Sequence, residues 1–351
     1  VIKTLNPSLT NDSMTKPAKK PKILSITKMH EAGMSLLRES GDLKLSPAWD
    51  DAKIKREIAG ADALVIRTQG EITAEVMDAA GPSLKVIGRH GVGFDHVDIP
   101  AATKRGIQVV YTPGANLESV AEHAIAMMIA LSKHFMPSIR ALEQGDYFAR
   151  TRWMGRDIRG RSLGIIGFGR IGKRLGEIAY QAFGMKVLYT DIVDMPAEAV
   201  ARAGGAKAVD LDTLLRTCEY VSLHVPLDQS TRRMINREAL AKVRPDCILL
   251  NTCRGPVVDE AAVAEALDAN RLFGYGADVF DIEPPPVPGH PLIGRPDNVI
   301  LTPHNAAQTE ESLVNMARWM AEDVIRVLHG ERPKYPVNDP DEVAAARQRL
   351  G

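Results

Sequence analysis

Cysteine is scarce: Cys218, Cys247 and Cys253 are the only three in 351 residues. An odd number without framework spacing excludes a disulfide scaffold and fits a reducing, cytoplasmic compartment. Net charge is absent as well, since Lys+Arg and Asp+Glu both total 44. Without a global basic field the chain is not drawn to nucleic acid or anionic lipid, and small molecules are the expected partners. Long apolar runs are also missing. The longest, Ala124 to Leu131, has eight residues, whereas a membrane span needs roughly 20. Residues 1–21 are polar, rich in Lys and Pro, and lack the apolar core of a secretory signal, so they read as a disordered tail. Metal-ligating residues are sparse too. His90, Asp95, His96 and Asp98 come nearest to a cluster but fit a turn equally well, and no metal is expected.

What is present is apolar and periodic. Hydrophobic residues make up 45% of the chain, enough for a substantial core, and its length suits two domains of about 150 residues each. From Lys22 onward short β-branched runs alternate with helical patterns, the mark of βα units in a parallel sheet. One series of strands is predicted at 23–27, 43–45, 63–67, 84–88 and 107–110. A second falls at 162–166, 186–190, 206–209, 220–224, 247–251, 274–279 and 298–302. The fold class is therefore α/β: two doubly wound parallel-sheet domains, Rossmann- or flavodoxin-like, with a cleft between them. Residues 116–134 read as one long helix capped by Asn116, apolar over much of its surface and suited to a domain or subunit interface. A further helix is predicted at 312–329, and residues 337–351 as a C-terminal tail.

The first motif is Gly167-Phe168-Gly169-Arg170-Ile171-Gly172. A bare GxGxxG is weak, but here an apolar strand precedes it, and Ile171, Leu175, Ile178, Ala179 and Ala182 follow at helical spacing. The glycines then sit at a strand-to-helix turn. The first permits the turn, the second lets a diphosphate approach the backbone, and Gly172 allows close packing, while N–H groups at the helix start attract the anion. The next strand ends at Asp191, 19 residues beyond Gly172, where a carboxylate accepts from ribose hydroxyls and repels a 2′-phosphate. No Arg follows in Ile192-Val193-Asp194, so the cofactor expected is NAD rather than NADP.

In open parallel sheets, ligands bind outside the carboxyl ends of the strands. Three polar residues fall there: Arg254 after strand 247–251, Glu283 after strand 274–279, and His304 after strand 298–302. Such a set suffices for reversible reduction of a 2-keto acid. Arg254 can grip the substrate carboxylate with its planar fork, and His304 can protonate the carbonyl oxygen as hydride arrives. Glu283 beside it would stabilise the imidazolium. Asp278, inside an apolar strand, needs a partner and is assigned to the nicotinamide-ribose side of the cofactor.

Through these motifs, together with Asn251-Thr252-Cys253-Arg254-Gly255, Asp278-Val279-Phe280-Asp281-Ile282-Glu283-Pro284 and Thr302-Pro303-His304-Asn305-Ala306, the chain resembles the D-isomer-specific 2-hydroxyacid dehydrogenases. The resemblance implies an NAD enzyme with Arg254, Glu283 and His304 as its catalytic set. It also implies a cofactor site that includes Val225, Pro226, Thr252, Cys253 and Ala306. By the same resemblance residues 22–117 plus 305–336 form the substrate domain and 118–304 the NAD-binding domain, in a homodimer built around the helix at 116–134. Cys253 stands where the family often has a small residue and reads as packing near the nicotinamide. Asp228 stands where threonine is frequent.

Arg67 and Arg89 each end a strand of the first series and should overlook the same cleft. Two extra cations suggest a second anionic group on the substrate. The stretches Val65-Ile66-Arg67-Thr68 and Arg89-His90-Gly91-Val92-Gly93 look like those of the phosphoglycerate dehydrogenase branch, which binds a phosphate there, so Arg67, Arg89, Gly91, Val92 and Gly93 are the expected substrate contacts. With no regulatory domain read after Pro336, a hydroxypyruvate/glyoxylate or broad 2-keto acid reductase is the alternative. A reading of another class is an NAD-sensing corepressor-like binding protein, for which no peptide-binding surface is evident in the sequence.

Overall fold

A computed structural model describes residues 19–47, 50–68 and 70–350. Most of the expected N-terminal tail, residues 1–18, lies outside the described residues. The chain builds two sheets whose strand pairs are all parallel. The first runs in the order β2-β1-β3-β4-β5, from β1 (Lys22–Ser25), β2 (Asp42–Leu45), β3 (Ala63–Ile66), β4 (Val86–Arg89) and β5 (Gln108–Val110). The second contains β6 (Ser162–Ile166), β7 (Lys186–Thr190), β8 (Lys207–Ala208), β9 (Tyr220–Leu223), β10 (Ile248–Asn251), β11 (Gly274–Ala277) and β12 (Val299–Leu301). Its order is β12-β11-β10-β9-β6-β7-β8. Central strands such as β3, β9 and β10 are buried along their whole length, which is why they read as continuous apolar runs rather than alternating ones. In the second sheet β7 lies on one side of β6 and β9 on the other, so the switch point that opens a ligand crevice falls at the end of β6.

Two long helices carry much of the packing. Helix Leu117–Ser132 lies on the second sheet against helix Arg170–Phe183 and strands β10 and β11. Helix Glu310–Leu328 returns to the first sheet and packs on helix Glu31–Ser40 and β4. Gly88 in β4 is required there: a Cβ would stand 2.5 Å from Val324 Cγ2 and 2.6 Å from Met320 Sδ.

Three expectations need correction. Asn116 is the residue before the long helix but makes no capping hydrogen bond through its side chain, and its Oδ1 is buried without a partner. The helix stops at Ser132, because His134 enters the left-handed region at φ 52° and starts a second helix, Phe135–Glu143. Residues 337–351, expected as a tail, contain helix Pro340–Leu350, which packs on helix Ile99–Lys104. Arg347 fastens it by donating to the carbonyls of Lys85 and Gly106 at 3.0 Å.

Candidate active site

The loop after β6 is a cradle that side chains would fill. Gly167 has φ +89°, and a Cβ on it would lie 2.6 Å from the His224 carbonyl oxygen at the end of β9. On Gly172 a Cβ would fall 2.2 Å from the Gly167 oxygen, whereas on Gly169 it would meet nothing within 4 Å. The middle glycine thus faces open space while the outer two are locked by backbone. Helix Arg170–Phe183 begins at Gly169 with no side chain capping its first N–H groups, leaving them available to an anion. Asp191, just past β7, accepts from Phe168 N at 2.7 Å and from Val193 N at 3.2 Å, so the carboxylate is fixed against the loop with acceptor capacity to spare. Arg170 is exposed and Ile171 half-buried on the first turn of that helix. These features fit a dinucleotide diphosphate and ribose. On the wall made by the end of β9, Val225 is half-buried and Pro226 exposed.

The loop after β10 is organised by Asn251, the first residue of the 251–255 motif, to which the sequence alone assigned no role. Its Oδ1 accepts from Cys253 N at 3.1 Å and its Nδ2 donates to the Arg254 carbonyl at 3.0 Å. Burial pushes the Cys253 thiol up to about 11, and a thiol in that state is packing rather than a nucleophile. Thr252 Oγ1 is buried without a partner. Arg254 reaches across to the first-sheet side: its Nε donates to Asp95 Oδ2 and its Nη1 to the Cys253 carbonyl, both at 2.7 Å.

Glu283 and His304 meet. His304 Nδ1 lies 2.8 Å from Glu283 Oε2, and Glu283 Oε1 accepts from Phe280 N at 3.1 Å. Burial opposes ionisation of Glu283, yet the His304 bond and charge, the Phe280 N–H and the Arg254 charge together hold its carboxyl below the usual range. His304 has φ +51°, a conformation uncommon for a residue with a side chain. Asp278 supports it from behind. Only 1% exposed, it accepts from Thr302 Oγ1 at 2.6 Å and from Asn305 N and Ala306 N at 2.8 Å each. Its carboxylate is therefore engaged with the 302–306 turn, at the end of the strand that the sequence assigned to the nicotinamide-ribose side of the cofactor. His123 joins this network through Thr302 Oγ1 at 3.0 Å.

Arg89 is buried, with Nε and Nη1 donating to the carbonyls of Gly93 and His90 in its own loop. Burial, then the charges of Arg254 and Arg67, push its guanidinium down to about 9, against which Asp95 acts. Arg67 is likewise lowered by burial, and Gln308 accepts from it at 3.1 Å once its amide oxygen faces the guanidinium. The loop between these cations is tight: a Cβ on Gly93 would stand 1.4 Å from Arg254 Nη2, and one on Gly91 2.0 Å from Arg89 Nη1. Val92 between them is half-buried. The possible metal group disperses. Asp98 caps helix Ile99–Lys104, Asp95 pairs with Arg254, and no group of three or more ligands able to hold a metal exists among the described residues.

Residues 125–306 match the family profile of the D-isomer specific 2-hydroxyacid dehydrogenase NAD binding domain. The chain is 39% identical over 328 residues to the glyoxylate reductase of Thermofilum pendens, covering 91% of this chain and 95% of that protein. It is 37% identical over 320 residues to the D-3-phosphoglycerate dehydrogenase of Archaeoglobus fulgidus, covering 91% of this chain but 59% of that longer one. Among solved structures it is similar to the D-lactate dehydrogenase of Aquifex aeolicus complexed with NAD and lactic acid, at TM-score 0.79 and 30% identity, covering 88% of this chain and 96% of that one. With the glycine cradle, Asp191 and this match over most of its length, the chain belongs to the D-isomer-specific 2-hydroxyacid dehydrogenases, NAD-dependent oxidoreductases of 2-hydroxy acids.

Proposed function

We propose that the chain interconverts a short 2-keto acid and its D-2-hydroxy acid with Arg254, Glu283 and His304 as the reacting set. The observation that carries this reading is the 2.8 Å bond between His304 Nδ1 and Glu283 Oε2, with the Arg254 charge acting on the same carboxylate. Bound NADH supplies the hydride to the carbonyl carbon. Arg254 spends Nε on Asp95 and one Nη1 proton on Cys253, and keeps N–H donors on both terminal nitrogens for a two-pronged grip on the substrate carboxylate. His304, its Nδ1–H held by Glu283, delivers a proton from Nε2 to the carbonyl oxygen and takes the hydroxyl proton in reverse. Glu283 stays ionised and stabilises the imidazolium. Gly167, Gly169, Arg170, Ile171 and Gly172 cradle the diphosphate and Asp191 takes the ribose. Val225, Pro226, Thr252, Cys253 and Ala306 wall the nicotinamide side, while Asp278 positions the turn behind it.

For the substrate, crowded guanidinium groups at Arg67, Arg89 and Arg254, with Asp95 the acidic group that acts on Arg89, favour a second anionic group. The 3-phosphoglycerate and 3-phosphohydroxypyruvate pair meets that requirement. Arg89 turned into its own loop favours a second reading, an unphosphorylated hydroxypyruvate or glyoxylate. The substrate domain would comprise 22–117 with 305–336 and the docked helix Pro340–Leu350, and the NAD domain 118–304. Exposed Phe135, Ile139, Leu142, Tyr147 and Phe148 beside the long helix support a homodimer through that face, and three buried free thiols suit the cytoplasm.

The test is NADH oxidation, with NADPH as control, against 3-phosphohydroxypyruvate, hydroxypyruvate, glyoxylate, pyruvate and phenylpyruvate. Turnover with none of them removes the proposed activity. Full activity in His304→Ala removes the proton donor, and an Arg67→Ala enzyme that still reduces 3-phosphohydroxypyruvate as well as before removes the phosphate reading.

A further inference from the structure

One buried ionisable pair takes no part in the chemistry above. Glu260, 8% exposed, opens helix Glu260–Asp268, and His290, 9% exposed, lies in the Pro-rich loop beyond Glu283. Glu260 Oε2 is 3.0 Å from His290 Nε2, and the Leu292 N–H donates to His290 Nδ1 at 3.2 Å. Because Nδ1 is an acceptor, the ring proton resides on Nε2 and is donated to the carboxylate. The second oxygen of Glu260 accepts from Asp281 N at 3.1 Å, and the adjacent N–H, that of Phe280, donates to Glu283 at 3.1 Å.

Two consecutive backbone N–H groups are thus held by two carboxylates, one of them Glu283. Arg233 adds a third tie at Asp281 Oδ2, 2.6 Å away, and the Phe280 ring stands edge-on to His290 at 5.5 Å. The loop of Arg254 backs onto the same segment, since a Cβ on Gly255 would lie 1.8 Å from the Phe280 carbonyl oxygen. Burying a carboxylate and an imidazole costs desolvation that apolar side chains of equal volume would avoid. What the pair offers in exchange is geometry, because a fully bonded buried network admits one arrangement of the loop it holds.

We propose that Glu260 and His290 are positioning residues for Glu283: they fix the 280–283 backbone so that its carboxylate meets His304. This rests on the reading of Glu283 and His304 as the reacting pair. His290→Leu then lowers kcat about tenfold, as expected for a support that lets a reacting group shift by a fraction of an ångström. KM for the keto acid and the NADH affinity from protein fluorescence stay unchanged. His290→Gln, whose amide donates from near the Nε2 position, recovers most of kcat. In a Glu283→Gln background His290→Leu has no further effect, because both act through one group.

The measurements use the full chain and the fastest keto acid of the five named above. A folded His290→Leu enzyme with unchanged kcat overturns the proposal, as does an undiminished loss in the Glu283→Gln background, which marks a general structural defect. If His290→Leu does not fold, Glu260→Gln replaces it, since one of its two donors then faces an amide NH2, and the same outcomes decide. A Glu283→Gln enzyme with unchanged kcat removes the reacting pair itself, a result distinct from failure of the support.

Discussion

A single methyl group at residue 93 should disable this enzyme without unfolding it. Built on Gly93, a Cβ stands 1.4 Å from Arg254 Nη2 and 2.6 Å from its Cζ. Non-bonded heavy atoms rest about 3.5 Å apart, so the guanidinium must withdraw by about 2 Å. The obstacle is the end of a flexible side chain, and Gly93 lies outside the positive-φ region, so the cost in stability stays within about 1 kcal/mol. Withdrawal breaks the bond to Asp95 and takes the fork away from the carboxylate it is proposed to grip. A misplacement of 1 Å costs on the order of 10²-fold in rate, so Gly93→Ala should lower kcat/KM by about 10²-fold, or roughly 3 kcal/mol of transition-state stabilisation. Steady-state NADH oxidation and the thermal midpoint are read on the same preparation. Gly91→Ala provides the contrast: φ +134° and a Cβ 2.0 Å from buried Arg89 Nη1 should lower the midpoint as well. A Gly93→Ala enzyme of full activity and unchanged midpoint would refute the placement of Arg254 against this loop.

Acid should destabilise the fold well before its carboxylates titrate. Burial first, then nearby arginines, lowers His90 to about 3 and His96 to about 4, and burial lowers His224 to about 4, from 6.5. Below pH 6.5 the unfolded chain takes up protons that the folded chain refuses, so stability present above that pH is lost downward toward pH 4, by roughly 1 kcal/mol per pH unit for each histidine. Urea midpoints that stay level between pH 7 and 5 contradict this. Cys253, raised to about 11 by burial, should resist alkylation at pH 7.5 in the native enzyme and react only in urea; mass spectrometry that finds it labelled in the native state sinks the packing role. Asp191→Ser should weaken NADH binding by about tenfold through loss of a charged acceptor while improving NADPH relative to NADH. A cofactor titration with an unchanged preference ratio would count against its ribose role.

The strands were legible because buried parallel strands are apolar along their length, and Arg254, Glu283 and His304 stood out as candidates because they lie just past such strands, where open parallel sheets bind ligands. Partners were harder to read. That Asp278 holds Asn305 and Ala306 depends on the register of β11 against β12, Tyr275 opposite Val299, and nothing in either segment alone encodes it. The role of Asn251 was hidden for a related reason: it looks like one more strand residue until the chain turns back on it. Helix Pro340–Leu350 buries only Val343 and Ala346, too narrow a stripe to mark it as helical. The break at His134 is marked only by Pro137, three residues on in the first turn of the next helix, whose missing N–H cannot continue the hydrogen bonding of the long helix.

Arg89 shows where reading by residue type reaches its limit. As a cation at a strand end it has the same signature as Arg67, yet its Nε and Nη1 fold back on carbonyls of its own loop. Those bonds shape the Gly91-Val92-Gly93 turn, and that turn in turn places Gly93 against Arg254. Arg254 then bridges to Asp95 two residues further on. The carboxylate grip proposed for Arg254 would therefore be assembled from both sheets: the fork comes from the end of β10, and the surface that orients it comes from the loop after β4. A change that opens the contact between Arg254 and Asp95 alters the fork before it alters the fold, since the two meet through partly exposed side chains and not in either core.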